Sequence, residues 1–270
     1  SCWYLLRKRE TKFALASIKV SAIVGIIGTF AVMLSGDSSG IHVAKYQPMK
    51  LAAAEGLENG GPRAPFSIVP GVEIPGMLSI LATHDIDGYV PGINDLLDGY
   101  TTPDGVRHLS AEEKMKRGRM AIDAFTKYRM LKDKNPEEAA EARKVLDDNV
   151  DYFGYGYIDS REELVPPVNL VYWAFRVMVG FGSFLLLLMI VVLWAEYKKK
   201  LVNMKWLQWV ALLSIPLVYL CGQAGWIVAE VGRQPWTIEG LLPVKAAVSS
   251  VSVGAVQTTF FLFVAIFTLF

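Results

Sequence analysis

The sequence predicts an all-α integral membrane protein with four transmembrane helices and a long, partly helical extracytoplasmic loop. Of its 270 residues, 53% are hydrophobic and only 20% are charged, whereas soluble domains carry about 25% charged residues. The charges concentrate in residues 37–166 and nearly vanish from four apolar stretches. The net charge of +1 argues against a nucleic-acid partner, which would require a strongly basic surface.

Four apolar segments reach or approach the roughly 20 residues that a helix needs to cross the hydrocarbon core of a bilayer. They are predicted at about 14–35, 168–194, 206–229 and 247–270. Trp173, Trp194 and Trp206 stand near segment ends, where aromatic rings are typical of the membrane interface. We therefore expect a multi-pass membrane protein.

Basic residues indicate which side of the membrane each connection faces. The runs at 7–9 and 198–200 consist of arginine and lysine and flank segment ends that share one side. Because cytoplasmic connections are enriched in these residues, that side is predicted to be cytoplasmic. The long connection 37–166 and the short connection 231–246 then face outward.

These boundaries divide the chain into three predicted parts. Residues 1–36 hold the end of one transmembrane helix and then a complete one, residues 37–166 form the extracytoplasmic loop, and residues 167–270 hold three transmembrane helices. The chain begins within what resembles the tail of a membrane helix and ends within an apolar run. We interpret the sequence as a fragment.

The long loop is predicted to be partly helical. We expect a short helix near 48–57 and two longer helices at 110–132 and 136–149. Ser110 and Glu113 are three residues apart and form a capping box at the start of the first longer helix.

Two residues of the second predicted span are candidates for binding a cofactor. Arg176 is an ionisable residue within a membrane segment, where charges are costly and usually functional. Met178 has a thioether that can serve as an axial ligand of haem iron, although simple packing is the alternative. A buried guanidinium needs an anionic partner, and a haem propionate is one such partner.

A carboxylate and a guanidinium stand together at the end of the third predicted span. Glu230 and Arg233 are three residues apart, which places them on one face of a helix. The pattern leaves two interpretations open. The residues form an ion pair at the membrane interface, or Glu230 is held for a metal ion or a proton path.

The outer loop contains further charged and titratable residues. Lys50 and Glu55 are five residues apart, which is not the spacing of a helical ion pair, and the pattern alone favours two solvated charges. His42, His84 and His108 lie far apart in the sequence and do not show the spacing of a metal site.

Three motifs together resemble one family, subunit I of the bacterial cytochrome bd quinol oxidases. The run GWIVAEVGRQPW at 225–236 is similar to the strongest signature of that subunit. The run FRVMV at 175–179 resembles its methionine haem-ligand motif, and QPMKLAAAE at 47–55 resembles the start of its quinol loop. The order, the spacing and the side of the membrane also fit, and the resemblance covers essentially the whole chain.

The resemblance implies haem-binding roles for five residues. Met178 would be an axial ligand of the low-spin haem b, and Arg176 would stabilise that haem electrostatically. Glu230 would ligate the iron of the high-spin haem b, with Trp226 and Arg233 close to it. In the family, electrons pass from quinol through the low-spin haem b to the high-spin haem b and haem d, where O2 becomes water.

The resemblance also implies the substrate and the partners. Lys50 and Glu55 would contact the quinol, and a carboxylate at the outer surface can accept a hydroxyl proton. Proton release outside and uptake inside would contribute to a proton gradient. The expected partners are subunit II of the oxidase, membrane lipid, quinol and O2, in the bacterial cytoplasmic (inner) membrane.

One feature departs from the family. In the family, one histidine pairs with the methionine at the low-spin haem and another ligates haem d, both on helices upstream of Ser1. No histidine lies in a predicted span of this chain. We therefore expect that residues 1–270 alone cannot reduce oxygen, and quinol oxidase activity of the isolated chain would contradict this.

Two other classes of protein remain as alternatives. In a membrane transporter or proton channel, Glu230 would be a relay group and Arg176 its counter-charge. A non-catalytic membrane anchor would instead present residues 37–166 to a partner. Haem content separates the oxidase from both alternatives.

Overall fold

The computed structural model describes residues 1–269, which are mostly helical. In chain order the helices are α1 (Cys2–Leu6), α2 (Thr11–Tyr46), α3 (Pro48–Glu55), α4 (Met77–Thr83), α5 (Ile93–Asp98), α6 (Ala111–Leu131), α7 (Pro136–Asp147), α8 (Val168–Tyr197), α9 (Lys205–Leu213), α10 (Ile215–Glu230) and α11 (Val253–Leu269). Short 3-10 helices cover Val150–Tyr157, Arg161–Leu164 and Leu201–Asn203.

Short antiparallel hairpins connect some of the helices. They pair β1 (Phe66–Val69) with β2 (Val72–Ile74), β3 (Tyr100–Thr101) with β4 (Arg107–His108), and β5 (Trp236–Ile238) with β6 (Leu242–Pro243). All of them lie in the connections that the sequence assigns to the outer side.

Three helical segments among residues 1–269 are long and apolar enough to cross a membrane, and they correspond to the first three predicted spans. The predicted fourth span, 247–270, contains α11, which has 17 residues and begins only at Val253. Phe270, the last residue of that prediction, lies outside the described residues. The predicted count of four full-length spans is therefore not confirmed.

The first span ends later than predicted. The polar, glycine-containing run 36–40 indicates a helix end in the sequence, yet α2 continues to Tyr46. The hydroxyl of Ser39 donates a hydrogen bond to the carbonyl oxygen of Ser35 (2.9 Å), so this side chain bonds within the helix and does not compete with it. The end of α2 therefore stands beyond the apolar segment.

The third span consists of two helices. α9 ends at Leu213 and α10 begins at Ile215, with Pro216 in its first turn. Proline has no backbone N–H and its ring crowds the preceding turn, so it interrupts the regular pattern of helical hydrogen bonds. The interruption separates the basic end of this span from the end that carries Glu230.

The helices predicted for the outer loop are present. α3, α6 and α7 lie within a few residues of the predicted bounds. Glu113 N donates to the hydroxyl of Ser110 (3.2 Å), and Ser110 N donates to the carboxylate of Glu113 (3.1 Å). The predicted capping box is therefore confirmed.

Two apolar clusters are most relevant to the candidate site. One cluster joins α3 to α8 through Ala53, Ala54 and Val171. The other lies in the outer part and includes Met115 of α6 and Trp236 of β5. Met49 of α3 packs against the second cluster, so α3 is held on one side by α8 and on the other by the part of the chain that contains α6 and β5.

Candidate functional site

A pocket of about 460 Å³ opens between α2, α3, α4 and α8. Most of its lining is apolar, contributed by Met33, Val43, Leu51, Phe66, Leu78, Phe175 and neighbouring residues. Lys50 and Glu55 both line it, as does Asp37, whose carboxylate lies 3.2 Å from the imidazole of His84. An apolar pocket with a few convergent polar groups is the usual form of a small-molecule site.

Glu55 is buried at the C-terminal end of α3 and is only 5% exposed. Its carboxylate accepts hydrogen bonds from Arg176 Nη2 (2.9 Å) and from Ser67 N (3.3 Å). Burial raises the pKa of Glu55 to about 7, although the Arg176 guanidinium opposes this shift. The interpretation of Glu55 as a solvated charge is therefore wrong, because helical spacing does not report the partner on α8.

Arg176 holds the backbone around Glu55. Its guanidinium donates to the carbonyl oxygens of Ala54 and Ser67 as well as to Glu55, and it stacks 3.7 Å from the centre of the Tyr172 ring. The sequence predicts an anionic partner for Arg176 and suggests a haem propionate. In the structure, Glu55 provides this charge.

Lys50 projects from the first turn of α3 toward the end of α10. Its ammonium donates to Gln47 Oε1 (3.3 Å) and to the carbonyl oxygen of Ala229 (3.1 Å). Burial is the main reason that the pKa of Lys50 is lowered, and the positive charge of Arg233 adds to this effect. Lys50 is therefore not a freely solvated charge either.

Glu230 and Arg233 lie on one face at the end of α10, as their spacing predicts. Arg233 Nη2 donates to Glu230 Oε2, and both side chains are partly exposed. Trp226, one turn earlier, is 62% exposed. The transporter hypothesis pairs Glu230 with Arg176, and that pairing is wrong because each residue has a different partner.

Met178 lies on the side of α8 that faces α10. A Cβ atom placed on Gly225 would lie 3.0 Å from Met178 Sδ, and Cys221 Sγ donates to the backbone oxygen of Met178 (3.3 Å). The α8–α10 pair therefore carries Met178 and Glu230, while α3 adds Lys50 and Glu55 at the outer end of the same pair.

Sequence reasoning missed a second carboxylate, which is half-buried. Glu239, in the β5–β6 hairpin, lines a small cavity of about 120 Å³ together with Lys114 and Tyr155. Burial raises the pKa of Glu239 to about 7, although Lys114 and Lys50 oppose this shift. Glu239 follows the motif that ends at Trp236 by three residues, and this position was the only signal in the sequence. Its partner Lys114 is far away in the sequence, so spacing could not indicate the contact.

Replacing Glu239 with glutamine is expected to reduce the pH dependence of stability. The pKa of this group is raised on folding, so its contribution to the free energy of unfolding is present below pH 4.5 and is lost as the pH rises to about 7. The variant should lose less thermal stability than the wild type between pH 4.5 and 8. Glu141→Gln, at an exposed position of α7, is the control, and equal losses in wild type and Glu239→Gln would contradict the prediction.

The comparison with known families decides the identity of the chain. Residues 1–270 match the model of the cytochrome bd terminal oxidase subunit I family. The chain belongs to this family. The subunit I resemblance seen in its three motifs is thereby confirmed.

Individual relatives agree with this family. The chain is 34% identical to cytochrome bd-II ubiquinol oxidase subunit 1 of Escherichia coli K12, over 100% of this chain and 55% of that protein. It is 30% identical to cytochrome bd ubiquinol oxidase subunit 1 of Bacillus subtilis 168, over 92% of this chain and 44% of that protein. The chain thus spans about half the length of these curated relatives.

A solved structure shows the same fold. The bd oxidase from Geobacillus thermodenitrificans matches 99% of this chain and 49% of its own chain, with a TM-score of 0.61 and 24% sequence identity. The arrangement of helices in this subunit I chain is therefore one already known in a bd oxidase.

Proposed function

We propose that this chain is part of subunit I of a cytochrome bd-type quinol:oxygen oxidoreductase, which oxidises quinol and reduces O2 to water. The observation that carries the proposal is the pocket lined by Lys50 and Glu55, joined through Arg176 to the helix of Met178. Family membership and two ubiquinol oxidase relatives support the same activity.

The pocket supplies what quinol oxidation requires of the protein. Its apolar walls suit a lipophilic ring, and Lys50 can donate a hydrogen bond to a ring oxygen. Glu55, with a pKa of about 7, can accept a hydroxyl proton, since a general base works best when its pKa is near the operating pH. The proton would be released on the outer side, where we place residues 37–166, and would contribute to a proton gradient.

The residues on α8 and α10 fit haem groups. Within residues 1–269, Arg176 Nε and Arg233 Nε are buried donors without a hydrogen-bond partner, and a propionate carboxylate is a suitable acceptor. Met178 would provide a thioether to the low-spin haem b, and Glu230 a carboxylate to the high-spin haem b, with Trp226 near it. The haems, when bound, would transfer electrons from quinol to O2.

Other parts of the assembly would lie outside this chain. Its three histidines all lie outside the predicted spans, so the haem d ligand and the second ligand of the low-spin haem b would come from elsewhere. Subunit II and lipid of a bacterial inner membrane are the proposed neighbours. We accordingly keep the prediction that residues 1–270 alone are inactive.

A reduced-minus-oxidised visible spectrum tests the proposed function. The full-length subunit, purified from membranes with its partner subunit, should show both b-type and chlorin-type haem bands. A preparation without haem would reject the oxidase and leave the transporter and anchor hypotheses, which flux assays can separate.

Replacing Met178 with leucine is expected to convert the low-spin haem to high spin in the full subunit. Leucine has a similar volume but no sulfur atom, so the iron would lose one axial ligand. Met189→Leu, on the same helix and packed against Gly25, is the control and should keep the low-spin spectrum. A low-spin spectrum in Met178→Leu would remove this residue from the haem site.

A further inference from the structure

The side chain of Lys50 ends at the last turn of α10. Its ammonium donates to the carbonyl oxygen of Ala229, and the next residue is Glu230. The last carbonyl groups of a helix lack partners within the helix, and a positive charge there interacts favourably with the helix dipole. Lys50 thus stabilises the turn that carries Glu230.

The turn that follows α10 leaves space for this contact at Gly232. A Cβ atom on Gly232 would lie 3.1 Å from Lys50 Cγ and 3.4 Å from Val171 Cγ1. The aliphatic part of Lys50 therefore lies beside this glycine, where any side chain would also collide with the carbonyl oxygen of Val228.

The side chain that reaches α10 also borders the pocket. Lys50 lines the pocket together with Glu55, and its two observed acceptors are Gln47 and Ala229. An ammonium has three N–H donors, so one remains for a molecule in the pocket. One residue thus contacts both the pocket and the turn that carries Glu230.

We propose that Lys50 is a positioning residue for Glu230 and that it couples occupancy of the pocket to the group that Glu230 ligates. The inference rests on the proposed function, with quinol in the pocket and Glu230 at the high-spin haem b. An occupant that accepts a hydrogen bond from the third N–H displaces the ammonium relative to the carbonyl oxygen of Ala229, and the position of the turn that carries Glu230 changes with it. Because such coupling is reciprocal, the state of the high-spin haem also changes affinity in the pocket.

The test is a redox titration of the complete oxidase, followed by visible spectroscopy. Lys50→Met removes a positive charge beside Glu230. Loss of this charge favours the oxidised, more positive iron, so the midpoint potential of the high-spin haem b should fall. The KM for quinol should rise, because the pocket loses a hydrogen-bond donor. Lys50→Arg keeps a donor and a charge and should recover part of both changes. Lys45→Met removes a charge from the end of α2 without a contact to α10 and should leave the haem unchanged.

A second measurement uses the wild-type enzyme. A redox-inert dimethyl ether of the quinol should shift the high-spin potential in the wild type but not in Lys50→Met. A raised KM in Lys50→Met with a wild-type high-spin potential would overturn the coupling, and so would an equal potential shift in Lys45→Met. A wild-type complex without high-spin haem would instead overturn the proposed function, and this inference with it.

Discussion

Glutamine in place of Glu55 is expected to slow quinol oxidation by about 10²-fold or more, because a positioned general base contributes at least this factor to the rate. Glutamine keeps the size of the side chain and can still accept a hydrogen bond from Arg176, so haem content should not change. Steady-state turnover with a soluble quinol analogue and a haem spectrum of the same sample measure both quantities.

The pH dependence of the turnover rate tests the role of Glu55 as a base more specifically than the loss of rate alone. The basic form of Glu55 increases as the pH rises through about 7, so the wild-type rate should rise across this range and then level off. The rise should disappear in Glu55→Gln. Glu58→Gln, at an exposed position three residues later, should behave as the wild type. Unchanged turnover in Glu55→Gln would show that Glu55 has no part in the reaction.

Replacing Arg176 with methionine is expected to lower the free energy of unfolding by about 3–5 kcal/mol, since removal of one partner leaves the other as an uncompensated buried charge. The side chains of Arg176 and Glu55 are only 8% and 2% exposed, so water screens this pair little. Three acceptors, on Ala54, Glu55 and Ser67, would lose their donor at once. Thermal unfolding of the purified complex in detergent measures the change.

A double-mutant cycle assigns the loss to the pair. In the Arg176→Met and Glu55→Gln double variant no buried charge remains, so part of the stability should return and the two effects should not add. Additive losses, or a loss below about 1 kcal/mol for Arg176→Met alone, would indicate that the pair does not stabilise the fold.

Patterns of residues close together in the sequence predicted most helices well, because apolar length and helix capping involve only residues that are near one another in the chain. Apolar length located three spans, and the capping box located the start of α6. The end of α2 could not be predicted, since the run 36–40 has the composition of a loop and remains helical where α4 packs against it and Asp37 meets His84.

The sequence named candidate site residues but did not predict which residues they contact. The Glu55–Arg176 pair joins residues far apart in the sequence, and helical spacing describes only near neighbours. The same holds for the bond from Lys50 to Ala229 and for the Glu239 cavity. The motifs thus named candidate site residues, while the partners of these residues depend on how α3 packs against the ends of α8 and α10.

The continuation of α2 has a consequence for the way in which the proposed hydrophobic substrate would reach the pocket. Ten residues of helix past the predicted end at Gly36 extend about 15 Å, and the pocket wall follows this helix from Met33 in the apolar part to Val43 beyond it. Under the proposed function, a quinol would place its ring at Glu55 while its isoprenoid tail follows this apolar wall toward the lipid chains. Supply to the enzyme would then depend on the two-dimensional density of quinol in the membrane, and hardly at all on its solubility in water.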